Sequence, residues 1–174
     1  MRGSWRRGAT GTLEILVVSG LLIFFIFAPV AYYNLTVSNM AIVSVFNTTL
    51  QAVSICGGYD ERVEEQLYSN LLARGLIDSG GLSNIADIIA DDKARPVGKR
   101  RVIVESNSNI GDEPIYRAHA AGDDSGITLE VSILMSNQRR FLAAISSLIG
   151  VRRDTSDGYF TLRGYIFSQL PKPI

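Results

Sequence analysis

Cys56 and His119 are the only cysteine and the only histidine in the 174 residues. A lone histidine with no cysteine or second histidine beside it does not build a metal site. A lone cysteine leaves a free thiol or a bridge to another chain, never an internal disulfide. Hydrolysis by a serine needs that serine raised on a sharp turn, and no G-x-S-x-G frame occurs. Asp123 and Asp124 lie between Gly122 and Gly126 and read as a solvated hairpin tip, because tight turns favour Asp and Gly. Asp91 and Asp92 read as the charged end of a short helix. The basic groups at 99–101, 139–140 and 152–153 are short and scattered, which is the pattern of solvated surface charge. Two N-x-S/T sequons, at Asn34 and Asn47, fall inside a predicted helix. The expectation is a protein that is not an enzyme, with no catalytic, cofactor-binding or metal-ligating residues. Lys and Arg together number 17, as do Asp and Glu, so no net charge draws the chain to nucleic acid.

One carboxylate still asks for an account. Glu14 stands at the lip of residues 15–33, which are almost wholly Leu, Ile, Val, Phe, Ala and Tyr. As a helix that run measures roughly 28 Å, close to the hydrocarbon thickness of a bilayer. Tyr32 and Tyr33 mark one end, where amphipathic rings favour the headgroup layer, and Trp5, Arg6 and Arg7 mark the other. No Lys or Arg follows until Arg62, so the positive-inside rule predicts a cytoplasmic N-terminus and an extracytoplasmic remainder. A cleaved secretory signal has a shorter apolar region and a small-residue cleavage site, neither of which is present here. Pro29 removes one backbone hydrogen bond and predicts a bend at 25–29. Gly20 allows a neighbouring helix to approach closely. An ionised group beside an apolar span is costly unless it reaches water or finds a cation. Glu14 therefore either snorkels to the cytoplasmic interface, near Arg6 and Arg7, or pairs with a positive group of another subunit.

The helix is predicted to continue past the membrane. Residues 34–56 carry no charge, no proline and no glycine, and Gly57-Gly58 follows as a stop. Leu35, Ile42, Phe46 and Val53 fall near one face at helical spacing, with Val37, Met40 and Val43 close by. Such a stalk either packs on a domain of its own chain or is buried by other subunits. Its β-branched residues lower helix propensity, so packing must hold it together.

The start of the chain, Arg7-Gly8, then Gly11-Thr12-Leu13-Glu14, then an unbroken apolar helix containing proline, resembles that of pilin-like proteins. It resembles most the TadE-type pseudopilins and the small TadE-like membrane proteins of Gram-positive bacteria. The resemblance covers the chain in outline, with its motif content in about the first thirty residues. It implies a structural or minor subunit of a Tad-type pilus or a related secretion and assembly system. The implied partners are membrane lipid, other pilin-like subunits including copies of this chain, and the assembly machinery. The implied location is the cell membrane or an extracellular filament. Leu35, Ile42, Phe46 and Val53, with Glu14, Gly20 and Pro29, become candidate subunit contacts. Processed members are cut after a glycine five residues before the glutamate. Ala9 stands there in this chain, which leaves Gly8 and Gly11 as the glycines where a leader could end. The alternative is a single-pass anchor that presents an extracytoplasmic binding module and does not assemble.

Beyond residue 58 the pattern predicts an α+β domain, a small antiparallel sheet packed on helices. Residues 60–75 read as a helix with acids in its first turn, Arg74 in its last and Gly75 as its stop, burying Val63, Leu67, Tyr68 and Leu71. A second short helix is predicted over 79–92. Alternating β-branched and aromatic residues predict strands at 101–106, 115–121, 127–135 and 159–167, with a hairpin connection at 122–126. An amphipathic helix is predicted over 137–150. The division expected is a basic leader over 1–11, a membrane helix and stalk over 12–57, and the α+β domain over 58–174.

Overall fold

A computed structural model describes residues 4–117, 125–135 and 158–172, with side chains from residue 14 onward. The element order is α1 (Ser4–Cys56), α2 (Glu61–Ala73), α3 (Ile85–Ala94), a 3₁₀ turn (Val97–Lys99), then β1 (Val102–Ser106), β2 (Gly126–Leu134) and β3 (Tyr159–Phe167). This is the expected α+β architecture, with a long apolar N-terminal helix ahead of a sheet packed on helices. The chain divides into two compact units, residues 1–37 and 38–174. The boundary falls inside α1, not after residue 57, because the second half of that helix is built into the core of the second unit.

In the first unit, α1 begins at Ser4, within the expected leader, and stays helical through Pro29. Thr36 returns its hydroxyl to the Tyr32 carbonyl at 2.9 Å, so the polar group is satisfied within the helix. Thr48 and Thr49, in the second unit, do the same to Ser44 and Val45. The helix stops at Gly57, whose φ of 78° is a left-handed conformation open to glycine. The Gly57 and Gly58 amides both donate to the Val53 carbonyl, closing the last turn.

Local chemistry also sets the limits of α2 and α3. Asp60 caps α2 by accepting from the Val63 amide at 2.8 Å, and Glu61 and Glu64 occupy the first turn. Gly75 takes φ 62°, and the Leu76 amide returns to the Leu71 carbonyl. The short helix expected from Ser79 begins only at Ile85, with Asn84 as its cap. Gly80 and Gly81 have φ of 66° and 84°, which no α-helix contains, and their amides are held by Asp78 and Ser79 side chains.

The three strands form an antiparallel sheet in the order β1-β2-β3. Ile127, Leu129, Val131 and Ile133 point to one face and are fully buried. They share a core with Ile42, Val45, Phe46 and Val53 of α1, and with Val63, Leu67, Tyr68 and Leu71 of α2. The expected strand at 115–121 is not present over 115–117. There the Ile115 amide donates to Gly57 and the Arg117 amide to Leu170, so the segment joins the helix stop to the chain's tail and not to the sheet. Residues 118–121 of that strand, most of the hairpin at 122–126 and the helix at 137–150 lie outside the described residues. So do His119, Asp123, Asp124 and the basic pairs at 139–140 and 152–153.

Candidate functional site: the apolar helix and its exposed face

Residues 14–56 of α1 make a helix long and apolar enough to cross a membrane. From Ile15 to Phe27 every side chain is exposed, most of the large ones by more than half. A lipid environment covers such a surface at no cost, whereas water does not. Glu14 opens this stretch and is exposed. A Cβ added at Gly20 would meet nothing within 4 Å, so that side of the helix is open. Pro29 lies inside the helix, and Gly8 and Gly11 lie in its first turns.

Past the membrane length, α1 has two unlike faces. Ile42, Val45, Phe46, Thr49 and Val53 are buried, the largest of them against the sheet and α2. A Cβ at Gly164 of β3 would come within 2.7 Å of Leu50 and 3.0 Å of Phe46, so the strand rides close on the helix. Of the two ways in which the stalk could be covered, packing on its own domain accounts for this face. Leu35 is buried as well. The opposite face, Val37, Met40, Ser44, Asn47, Gln51 and Ile55, is exposed and without charge. The residues left for a neighbour on this helix are therefore those of the second face, of which the sequence pattern named only Val37 and Met40, and placed them close to the first. Their signal was weak because three of the six are polar.

A second constellation was not legible in sequence. Asp92, read as a helix end, is buried and gathers three donors. The Tyr68 hydroxyl reaches one carboxylate oxygen at 2.7 Å, shared with the Val102 amide, and the Arg101 amide reaches the other at 2.7 Å. Lys93 pairs with Glu64 at 2.7 Å, joining α3 to α2 again. Burial and the Asp92 carboxylate push the Tyr68 hydroxyl well above its ordinary pKa, and burial raises Tyr59 likewise. These groups stay protonated at neutral pH and serve as hydrogen-bond donors, not as bases. Among the described residues no three His, Cys, Asp or Glu side chains converge on a point where a metal would sit. Comparison of the chain with protein-family models, with curated proteins and with solved structures finds no match.

Proposed function

We propose that this chain is a pilin-like membrane protein of TadE type, a structural or minor subunit of a Tad-type pilus or related secretion and assembly system, and not an enzyme. The observation that carries the reading is α1 itself. Residues 15–27 are exposed and almost wholly apolar on all sides, and the part beyond keeps one long uncharged face free after the other is spent on the domain. A helix that only anchors a domain has no need of charge-free surface beyond the bilayer, whereas one that packs among like helices does. In this reading the N-terminus is cytoplasmic, behind Arg2, Arg6 and Arg7, and the α+β domain is outside. Glu14 pairs with a cation of a neighbouring subunit as the helices take register.

The testing measurement is the intact mass of the protein from its native cells, in membrane and shed fractions. Loss of residues 1–8 or 1–11, with the shortened chain in the shed fraction, supports a processed, assembling subunit. A full-length chain confined to membranes removes that model. The packing of Ile42, Phe46 and Val53 in the chain's own core favours a second reading. There the protein is a single-pass anchor carrying a binding module, with Glu14 held at the interface by water.

A further inference from the structure

The backbone of β1 has a direction that can be read from its partners. The Leu134 amide donates to the Arg101 carbonyl, and the Thr128 amide to the Asn107 side chain, so odd-numbered residues of β1 face β2. Even-numbered residues face away. Val102 N–H turns out to Asp92 at 3.1 Å, and the Ser108 carbonyl turns out to the Tyr59 amide at 3.0 Å. Between these two satisfied ends lie the Val102 carbonyl, both backbone groups of Val104 and the Ser106 amide. Among the described residues none of these has a partner. This is an open sheet edge about three residues long, closed at one end by Asp92 of α3 and at the other by the Tyr59 amide just ahead of the α2 cap.

A cavity of about 220 Å³ lies beside the Val102–Val104 part of that edge, lined also by Tyr59, Glu64, Tyr68, Asp92 and Lys93. Tyr59 is 5% exposed, and its hydroxyl has no hydrogen-bond partner among the described residues. A buried hydroxyl without a partner is unfavourable by roughly 1–3 kcal/mol and marks a place where a further group would be gained. The charges around the cavity cancel, Glu64 and Asp92 against Lys93 and Arg100, and Lys93 already holds Glu64. A charged visitor would be buried without a counterion, whereas a neutral amide or hydroxyl could both donate to and accept from Tyr59. Tyr165 and Phe167 of β3, by contrast, are exposed.

We propose that the edge of β1 between Val102 and Ser106 is a strand-addition site for an extended, uncharged peptide segment of another protein, with a Ser, Thr, Asn or Gln side chain entering the cavity beside Tyr59. The main chain of the visitor supplies partners for Val104 and Ser106, and the side chain supplies the partner for the tyrosine. The inference concerns the outer domain and holds whether or not the chain assembles through α1.

The test uses the full-length protein in detergent micelles and a set of blocked pentapeptides, acetyl-Val-Val-Xaa-Val-Val-amide made soluble by a C-terminal polyether, with Xaa as Thr, Gln, Lys, Glu or Leu. Amide hydrogen exchange reads Val104 and Ser106 directly. The expected result is fast exchange at both amides in the free protein and at least about tenfold slowing with the Thr and Gln peptides, and much less with Lys, Glu or Leu. Tyr59→Phe keeps the ring, folds at least as well as the parent, and weakens Thr and Gln binding roughly three- to tenfold. N-methylation at the central residue of the peptide abolishes the slowing. Three results overturn the proposal: both amides already protected in the free protein, no slowing with any peptide, or binding that ignores Tyr59→Phe. Protection that rises with protein concentration alone also overturns it, by showing a second copy on the edge.

Discussion

At the scale of single residues, Asp92 does more for the α+β domain than its position at a helix end suggests. One carboxylate ties α2, through Tyr68, to the start of β1, through the Arg101 and Val102 amides. Removing it in Asp92→Ala leaves three buried donors without acceptors, each unfavourable by about 1–3 kcal/mol. The expected loss is roughly 3–5 kcal/mol, read as a lower urea midpoint followed by far-ultraviolet circular dichroism. Asp92→Asn loses less, because either orientation of the amide leaves a single backbone N–H facing nitrogen. Tyr59 and Tyr68 add a pH dependence. Both hydroxyls are raised above the ordinary value of 10.0, so the folded domain keeps protons that the unfolded chain releases. Their contribution is fully present below pH 10 and is lost as pH rises beyond it, with a slope of about 1.4 kcal/mol per pH unit for each tyrosine. Urea midpoints between pH 8 and pH 11 should be flat and then fall, and Tyr59→Phe should remove about half of the fall. An unchanged slope in that variant would show that the alkaline loss does not come from Tyr59.

At the scale of elements, the glycine stops separate two kinds of turn. Gly57 and Gly75 both end helices with positive φ, yet their surroundings differ. A Cβ at Gly57 would stand 2.6 Å from the Ile115 carbonyl and 2.8 Å from a Leu170 methyl, while one at Gly75 would meet nothing within 4 Å. Gly75→Ala should therefore lose only the left-handed conformational term, about 1 kcal/mol. Gly57→Ala must also push the 115–117 segment away and should lose more than twice as much, with the thermal midpoints of the two variants as the check. The same contrast explains what was legible in the sequence. The helix α2 was readable because its signals are local: Asp60 caps it, Glu61 and Glu64 start it, and Gly75 stops it. Strands β1, β2 and β3 were readable from alternation. The start of α3 was not, since the apolar spacing from Leu82 onward continues the helical period, and only the dihedrals of Gly80 and Gly81 break it. Residues 115–117 alternate as a strand does, but their partners are Gly57 and Leu170, far away in sequence. The Asp92 cluster was silent for the same reason, as its donors come from residues 68, 101 and 102.

At the scale of the whole molecule, the sequence announced an uncharged stalk, and only the packing divides it into a used and an unused face. Ile42, Val45, Phe46 and Val53 belong to the core, whereas Met40 and Ile55 are 67% and 63% exposed. A charge placed on each face should therefore act differently. Phe46→Asp buries an unpaired carboxylate and should unfold the domain. Met40→Asp points to solvent and should alter the domain's stability by no more than about 0.5 kcal/mol. If the chain assembles through the free face, the same Met40→Asp places a charge between close-packed helices, where it is strongly unfavourable. Cross-linked oligomers or shed filaments should then vanish while the thermal midpoint of the purified subunit stays put. Retention of both would show that this face meets no neighbour, leaving the protein as a solitary anchor. Loss of the thermal midpoint along with assembly would instead place Met40 in the domain's own fold, against its exposure here. Glu14→Gln, at the opposite end of the helix, completes the comparison. It should lower assembly yield if the carboxylate pairs with a neighbour's cation. It should change nothing if water already satisfies it at the interface.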